Sequence, residues 1–227
     1  MASLIRTTAL VAATALLTAC GGGTQAPATG GETTVATPTG DRSFLREDDY
    51  ILGNADAPVV FMEYASVACP ACANWHANVY PEFKEKYVDT GRVAFVFRPF
   101  PTNPIQMADT GHLLAYCGKR EDYYKNIGLQ FKRQRQLLDM LQRQQGREAY
   151  LNLAKASGLT ENEFIACIQD EELRERYDEV IQTGIDMGVA GTPSFFVNGR
   201  KVEGFTLEDL EKSLLPALGE TAPAADG

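Results

Sequence analysis

Positive charge is scarce in this 227-residue sequence: 21 Lys and Arg stand against 30 Asp and Glu, a formal charge of -9. A surface with that balance repels a phosphate backbone, which argues against nucleic acid as a partner. Histidine is scarcer still, with two residues, His76 and His112. Neither stands at ligand spacing from the isolated cysteines, so a zinc site built on cysteine lacks its four donors. No internal repeat is present, and no long apolar run follows the first twenty residues. Any membrane attachment therefore rests on the N-terminus.

That N-terminus, "MASLIRTTALVAATALLTAC", has Arg6 followed by an apolar stretch from Ala9 to Leu17. The stretch is short for a bilayer span and reads as an export signal over residues 1–19. It ends in Leu17-Thr18-Ala19-Cys20, which resembles the bacterial lipobox, and the resemblance implies lipidation of Cys20. An ordinary signal peptide with an incidental Cys20 is the alternative. Removing residues 1–19 removes Arg6 and no acid, which moves the charge from -9 to about -10. Residues 20–42 are Gly, Thr, Ala and Pro with almost no apolar bulk, a flexible tether. The tail over residues 219–227 is small and polar. Between them lie roughly 175 residues, enough for one well-buried core in an envelope compartment facing the periplasm.

Strand and helix patterns follow one another in a definite order there. Pro58 to Tyr64 is a short apolar run suited to a buried strand. The stretch "CPACANWHANVYPEFKEKYVDTG" reads as one helix closed by Gly91. Arg92 to Phe100, β-branched and aromatic, is a second strand, and the spacing predicts a right-handed βαβ unit with parallel strands. From Asn103 to about Met187 the pattern is helical. It then alternates again in "SFFVNGRKVEG", where Asn198-Gly199 predicts a tight hairpin. A last helix follows, with Thr206 and Asp209 spaced as a capping pair.

Cys69 and Cys72 sit at the start of the first helix with two residues between them. C-type haem attachment wants histidine directly after the second cysteine, and Ala73 is there. Redox chemistry gives the spacing a physical purpose. A cysteine at a helix start receives unpaired N–H groups and the positive end of the dipole, which stabilise its thiolate. Cys69 is then the nucleophile, and Cys72, one turn in, the resolving partner. Val59, Phe61 and Glu63 share one strand face, so a carboxylate sits among apolar side chains shortly before the cysteines. Buried there, Glu63 could take or return the Cys72 proton; at a fraying strand end it would be merely solvated.

"FMEYASVACPAC", "YVDTGRVAFVFRPFP", "GVAGTPSFFVNG" and the helical stretch together resemble the DsbA-like thiol-disulfide oxidoreductases. The resemblance implies an α/β thioredoxin-like fold (βαβ, then ββα) over residues 43–102 and 188–218, interrupted by an α-helical insert over 103–187. It implies an exported enzyme that oxidises cysteine pairs in folding proteins through a mixed disulfide at Cys69. The redox centre is the Cys69–Cys72 disulfide, with no cofactor and no metal, and a membrane partner reoxidises it. Thr192 and Pro193 match the family's cis-proline loop, which contacts substrate, and Glu63 its buried acid. The chain departs from its best-known relatives at Pro70-Ala71, where Pro-His stands. Without the histidine, the thiolate should titrate toward the upper part of the ~3.5–7.5 range of such sites.

Cys117 and Cys167 read as either two inert buried thiols or a structural disulfide, and an oxidising compartment favours the disulfide. Trp75 and His76 read about equally well as packing residues of the active-site helix and as substrate contacts. An isomerase or reductase fed by a membrane reductant is the rival within redox chemistry. A peptide-binding or copper-carrying lipoprotein is the rival outside it.

Overall fold

The computed structural model describes residues 41–221. The expected signal, Cys20, nearly all of the tether and most of the tail lie outside the described residues. Among the described residues five strands form one sheet: β1 (Ile51–Leu52), β2 (Val59–Ala65), β3 (Val93–Pro99), β4 (Ser194–Val197) and β5 (Arg200–Val202), in the order β1-β3-β2-β4-β5. β2 and β3 are parallel, with Val59 opposite Val93 and Glu63 opposite Phe97; the other pairings are antiparallel. All seven residues of β2 are buried. A strand covered on both faces needs a continuous apolar run, which is what the sequence has around Phe61.

The described residues also form eight α-helices: α1 (Pro70–Asn78), α2 (Tyr80–Phe83), α3 (Ile105–Tyr116), α4 (Tyr123–Gln142), α5 (Gly146–Ala156), α6 (Glu161–Ile168), α7 (Glu171–Asp186) and α8 (Leu207–Ala217). The single helix expected from Cys69 to Gly91 is a correction. It breaks at Val79 and resumes as α2 and a π-helical turn over Lys84–Val88. Pro81 has no N–H to offer the carbonyl one turn back, so the first helix ends there and the second starts with proline in its first turn.

Val59, Phe61 and Ala65 face a core shared with Trp75 of α1, Phe83 of α2, Phe195 of β4 and Leu210 and Leu214 of α8. Val60, Met62 and Tyr64 face the other side, where α7 crosses. The crossing is close: a Cβ on Gly184 would lie 2.8 Å from Phe100 and 2.9 Å from Tyr64. On this side Arg98 is buried and held by the Asp49 carboxylate at 2.6 and 2.9 Å and by Tyr64 Oη at 2.7 Å, which ties the N-terminal segment to β3.

The helices between β3 and β4 have a core of their own, built from Met107 and Leu114 of α3, Leu137 of α4, Tyr150 and Leu153 of α5 and Phe164 of α6. A disulfide joins Cys117, at the end of α3, to Cys167 in α6. Asn198 and Gly199 both have positive φ (47° and 75°), as a two-residue hairpin between β4 and β5 requires. Thr206 and Asp209 form the expected capping box on α8.

Candidate active site

Parallel strands deliver their C-terminal ends to one edge of the sheet, and β2 ends there at Ala65. Four residues later Cys69 caps α1 with extended backbone (φ -82°, ψ 120°), and Pro70 occupies the first turn. Cys69 is 8% exposed and Cys72 is fully buried; both are free thiols.

Side chains from the helical insert hold the loop between β2 and α1. Gln134 of α4 donates through Nε2 to the carbonyls of Val67 and Cys69, each at 2.9 Å. The Val67 N–H donates to His112 Nε2 at 3.1 Å. Because that nitrogen accepts, the neutral ring carries its proton on Nδ1 and donates it to Tyr177 Oη at 3.1 Å. Tyr177 in turn donates to Asp109 at 2.8 Å. Complete burial drives the His112 pKa down to about 3, which keeps the ring neutral.

This arrangement couples stability to pH. Between about pH 6.5 and 3 the unfolded chain binds a proton at His112 that the folded chain refuses. Stability therefore rises with pH across that window and falls on acidification, by about 1.4 kcal/mol per pH unit. Urea unfolding is expected to show His112→Gln relieving about 2 kcal/mol of the loss between pH 6.5 and 4.5. Equal losses in both proteins would remove His112 as the cause.

Electrostatics separate the two sulfurs. The Cys69 thiol is lowered to about 5, chiefly by a hydrogen bond from the Cys72 thiol, which outweighs the cost of burial; Thr192 and the N–H groups of Cys72 and Ala71 add to it. A neighbouring thiol and a threonine supply stabilisation where a histidine at position 71 is missing. Cys72 is pushed up by burial, by its bond to Cys69 and by the charge of Glu63 when ionised. At neutral pH the pair is one thiolate and one thiol.

Thr192-Pro193 is cis and lies beside Cys69. The Cys69 thiol donates to the Thr192 carbonyl at 3.3 Å. The buried Thr192 hydroxyl has no other hydrogen-bond partner among the described residues, so it is available to donate once the sulfur is ionised. Next to this turn is a hollow of about 240 Å³ lined by Thr192, Pro193 and Phe205, the last 59% exposed.

Glu63 is completely buried rather than solvated at a frayed strand end. Its Oε2 lies 2.8 Å from His76 Nε2, and its Oε1 has no partner among the described residues. The pairing gives His76 a role that neither packing nor substrate contact anticipated. The available signal was spacing: His76 follows Cys72 by four residues and so shares its helix face. Gln134 and His112 gave no such signal, being 65 and 45 residues from the atoms they bind.

The structure thus brings together Cys69, Pro70, Ala71, Cys72, Glu63, Thr192 and Pro193, and sets the Cys117–Cys167 disulfide apart in the insert. A hollow of about 770 Å³ beside the β4–β5 hairpin is lined by none of them. Among the described residues no cluster of His, Cys, Asp and Glu is placed to hold a metal ion.

Comparison with known proteins agrees with the site. Residues 46–214 match the family described as Thioredoxin. A Rickettsia bellii protein named "Putative protein-disulfide oxidoreductase" is 30% identical over 193 residues, covering 80% of this chain and 69% of that one. The chain spans 62% to 69% of the length of the Rickettsia proteins it matches. The crystal structure of Wolbachia pipientis alpha-DsbA1 superposes with a TM-score of 0.65 at 28% identity, covering 77% of this chain and 93% of that one. BdbD from Bacillus subtilis shares the fold at 16% identity, with a TM-score of 0.64 and coverage of 81% and 97%. A cysteine pair of this geometry on this sheet, with these relatives, places the chain in the thioredoxin family, as a DsbA-like thiol-disulfide oxidoreductase.

Proposed function

We propose that the chain is an exported, lipid-anchored oxidase that passes its Cys69–Cys72 disulfide to cysteine pairs in folding envelope proteins. The observation that carries this direction is the ionised Cys69, stabilised by Cys72, Thr192 and two N–H groups. These contacts favour the reduced form, and a couple whose reduced form is favoured is oxidising.

In the reaction a substrate thiolate attacks Cys69 Sγ and breaks the Cys69–Cys72 bond. Cys72 leaves and takes a proton from Glu63. The second substrate thiolate then attacks the substrate sulfur of the mixed disulfide and expels Cys69, whose low pKa makes it a good leaving group. Two electrons pass to the enzyme, leaving a Cys69 thiolate and a Cys72 thiol. The cis turn at Thr192-Pro193 and the hollow beside it offer an extended substrate segment a place next to the sulfur. A membrane redox partner restores the disulfide, and lipid on Cys20 would keep the domain near it.

The reduction potential against glutathione tests the direction. A value of about -120 to -180 mV is expected, and the thiolate absorbance should titrate at about pH 5. A potential near about -270 mV would make the chain a reductively driven isomerase or reductase instead.

A further inference from the structure

Burial creates a problem for Cys72. Each time the disulfide opens or closes this sulfur must gain or lose a proton, yet neither Cys72 nor Glu63 reaches solvent. The structure offers one way out. Glu63 turns Oε1, buried and without a partner among the described residues, away from Oε2, which contacts His76 Nε2 at 2.8 Å. The His76 side chain is 7% exposed against 0% for Glu63. Its ring stacks on Phe131 of α4 with centroids 4.1 Å apart. The ring also lines an apolar groove of about 500 Å³ between α1, α2 and α4, and Nδ1 has no hydrogen bond to any described residue.

We propose that His76 is the proton port of this site, connecting buried Glu63, and through it Cys72, to the groove between α1 and α4. The inference rests on Cys69–Cys72 being the redox pair. On disulfide opening, Cys72 leaves as a thiolate and takes the proton of Glu63 Oε1. Glu63 regains one at Oε2 from His76 Nε2, and His76 regains one at Nδ1 from water. Disulfide closing runs the same hops backwards, so a full catalytic cycle restores every proton to its starting atom. His76 touches neither sulfur; it is a positioning residue that acts through Glu63. The other ionisable groups of the groove are Tyr80 of α2, Lys84 of the π-helical turn and Lys132 of α4. β3 brings Phe97 to the His76 ring and Phe95 to Tyr80, and β4 brings Phe195 to Trp75, none of them ionisable.

Stopped-flow mixing of the reduced protein with excess oxidised glutathione tests this, with Trp75, the only tryptophan, as the fluorescent reporter. The first phase is attack by Cys69; the second is closure by Cys72 with release of glutathione. His76→Gln is expected to leave the first phase unchanged and slow the second by about a hundredfold or more, within the range for a lost proton-transfer group. It should also remove one ionisation from the pH profile of closure. In His76→Gly, closure should accelerate in proportion to added imidazole, which a structural role would not produce. The wild-type protein supplies an independent reading, because its closing phase should slow in deuterium oxide. Wild-type closure that is indifferent to deuterium, or a folded variant with wild-type closure and pH profile, overturns the port while leaving the redox pair intact. No exchange with glutathione in the wild-type protein would overturn the redox pair and the port together.

Discussion

Cys69→Ser is expected to abolish thiol-disulfide exchange, while Cys72→Ser keeps the first half of the reaction and stops there. The asymmetry follows from the two environments. Cys69 caps α1, is ionised at neutral pH and faces the Thr192-Pro193 turn; Cys72 is buried, un-ionised and one helical turn inside. Serine at position 69 replaces a thiolate by a hydroxyl that stays protonated, so no nucleophile and no disulfide remain. With serine at position 72, Cys69 still attacks oxidised glutathione, but nothing expels the attached glutathione. Mass spectrometry should then find a persistent glutathione adduct on Cys72→Ser and none on Cys69→Ser. An adduct on Cys69→Ser, or rapid turnover by Cys72→Ser, would reverse the assignment of nucleophile and resolving thiol.

Replacing Cys117 and Cys167 together by alanine is expected to lower stability by about 4 kcal/mol and leave exchange by the folded protein unchanged. The bond closes a loop with a sequence separation of 50 residues. In the chain-entropy account, releasing a loop of that size restores about 4 kcal/mol of freedom to the unfolded chain. The bond fastens the end of α3 to α6, two helices of the insert, and touches neither Cys69 nor the turn beside it. Urea unfolding measures the first part and insulin reduction or glutathione exchange the second. A loss under about 1 kcal/mol would mean that packing among α3, α5 and α6 already holds the insert together.

Much of this was legible in the sequence because it depends on short-range chemistry. An apolar run long enough for a strand, two cysteines at a helix start and an Asn-Gly turn each carry their meaning within a few residues. Glu63 was legible as a residue on an apolar face through strand alternation alone. The break at Val79 was missed because a long amphipathic pattern masked the single proline that interrupts it. Strand β1 was missed because two residues carry no periodicity.

The sequence by itself determined the order of strands and helices apart from β1 and the break at Val79, the pair of sulfurs and the acid on the apolar face of β2. Only the tertiary structure decided how those groups behave. The thiolate at Cys69 depends on the Cys72 thiol and on the hydroxyl of Thr192, 123 residues away, and its loop is held by Gln134 and His112 from the insert. Glu63 was one carboxylate in the sequence; in the fold it is a buried acid with one oxygen on His76 and the other unpartnered. Burial and hydrogen bonding set the chemistry of an ionisable group, and both are made by residues that meet only when the chain has folded.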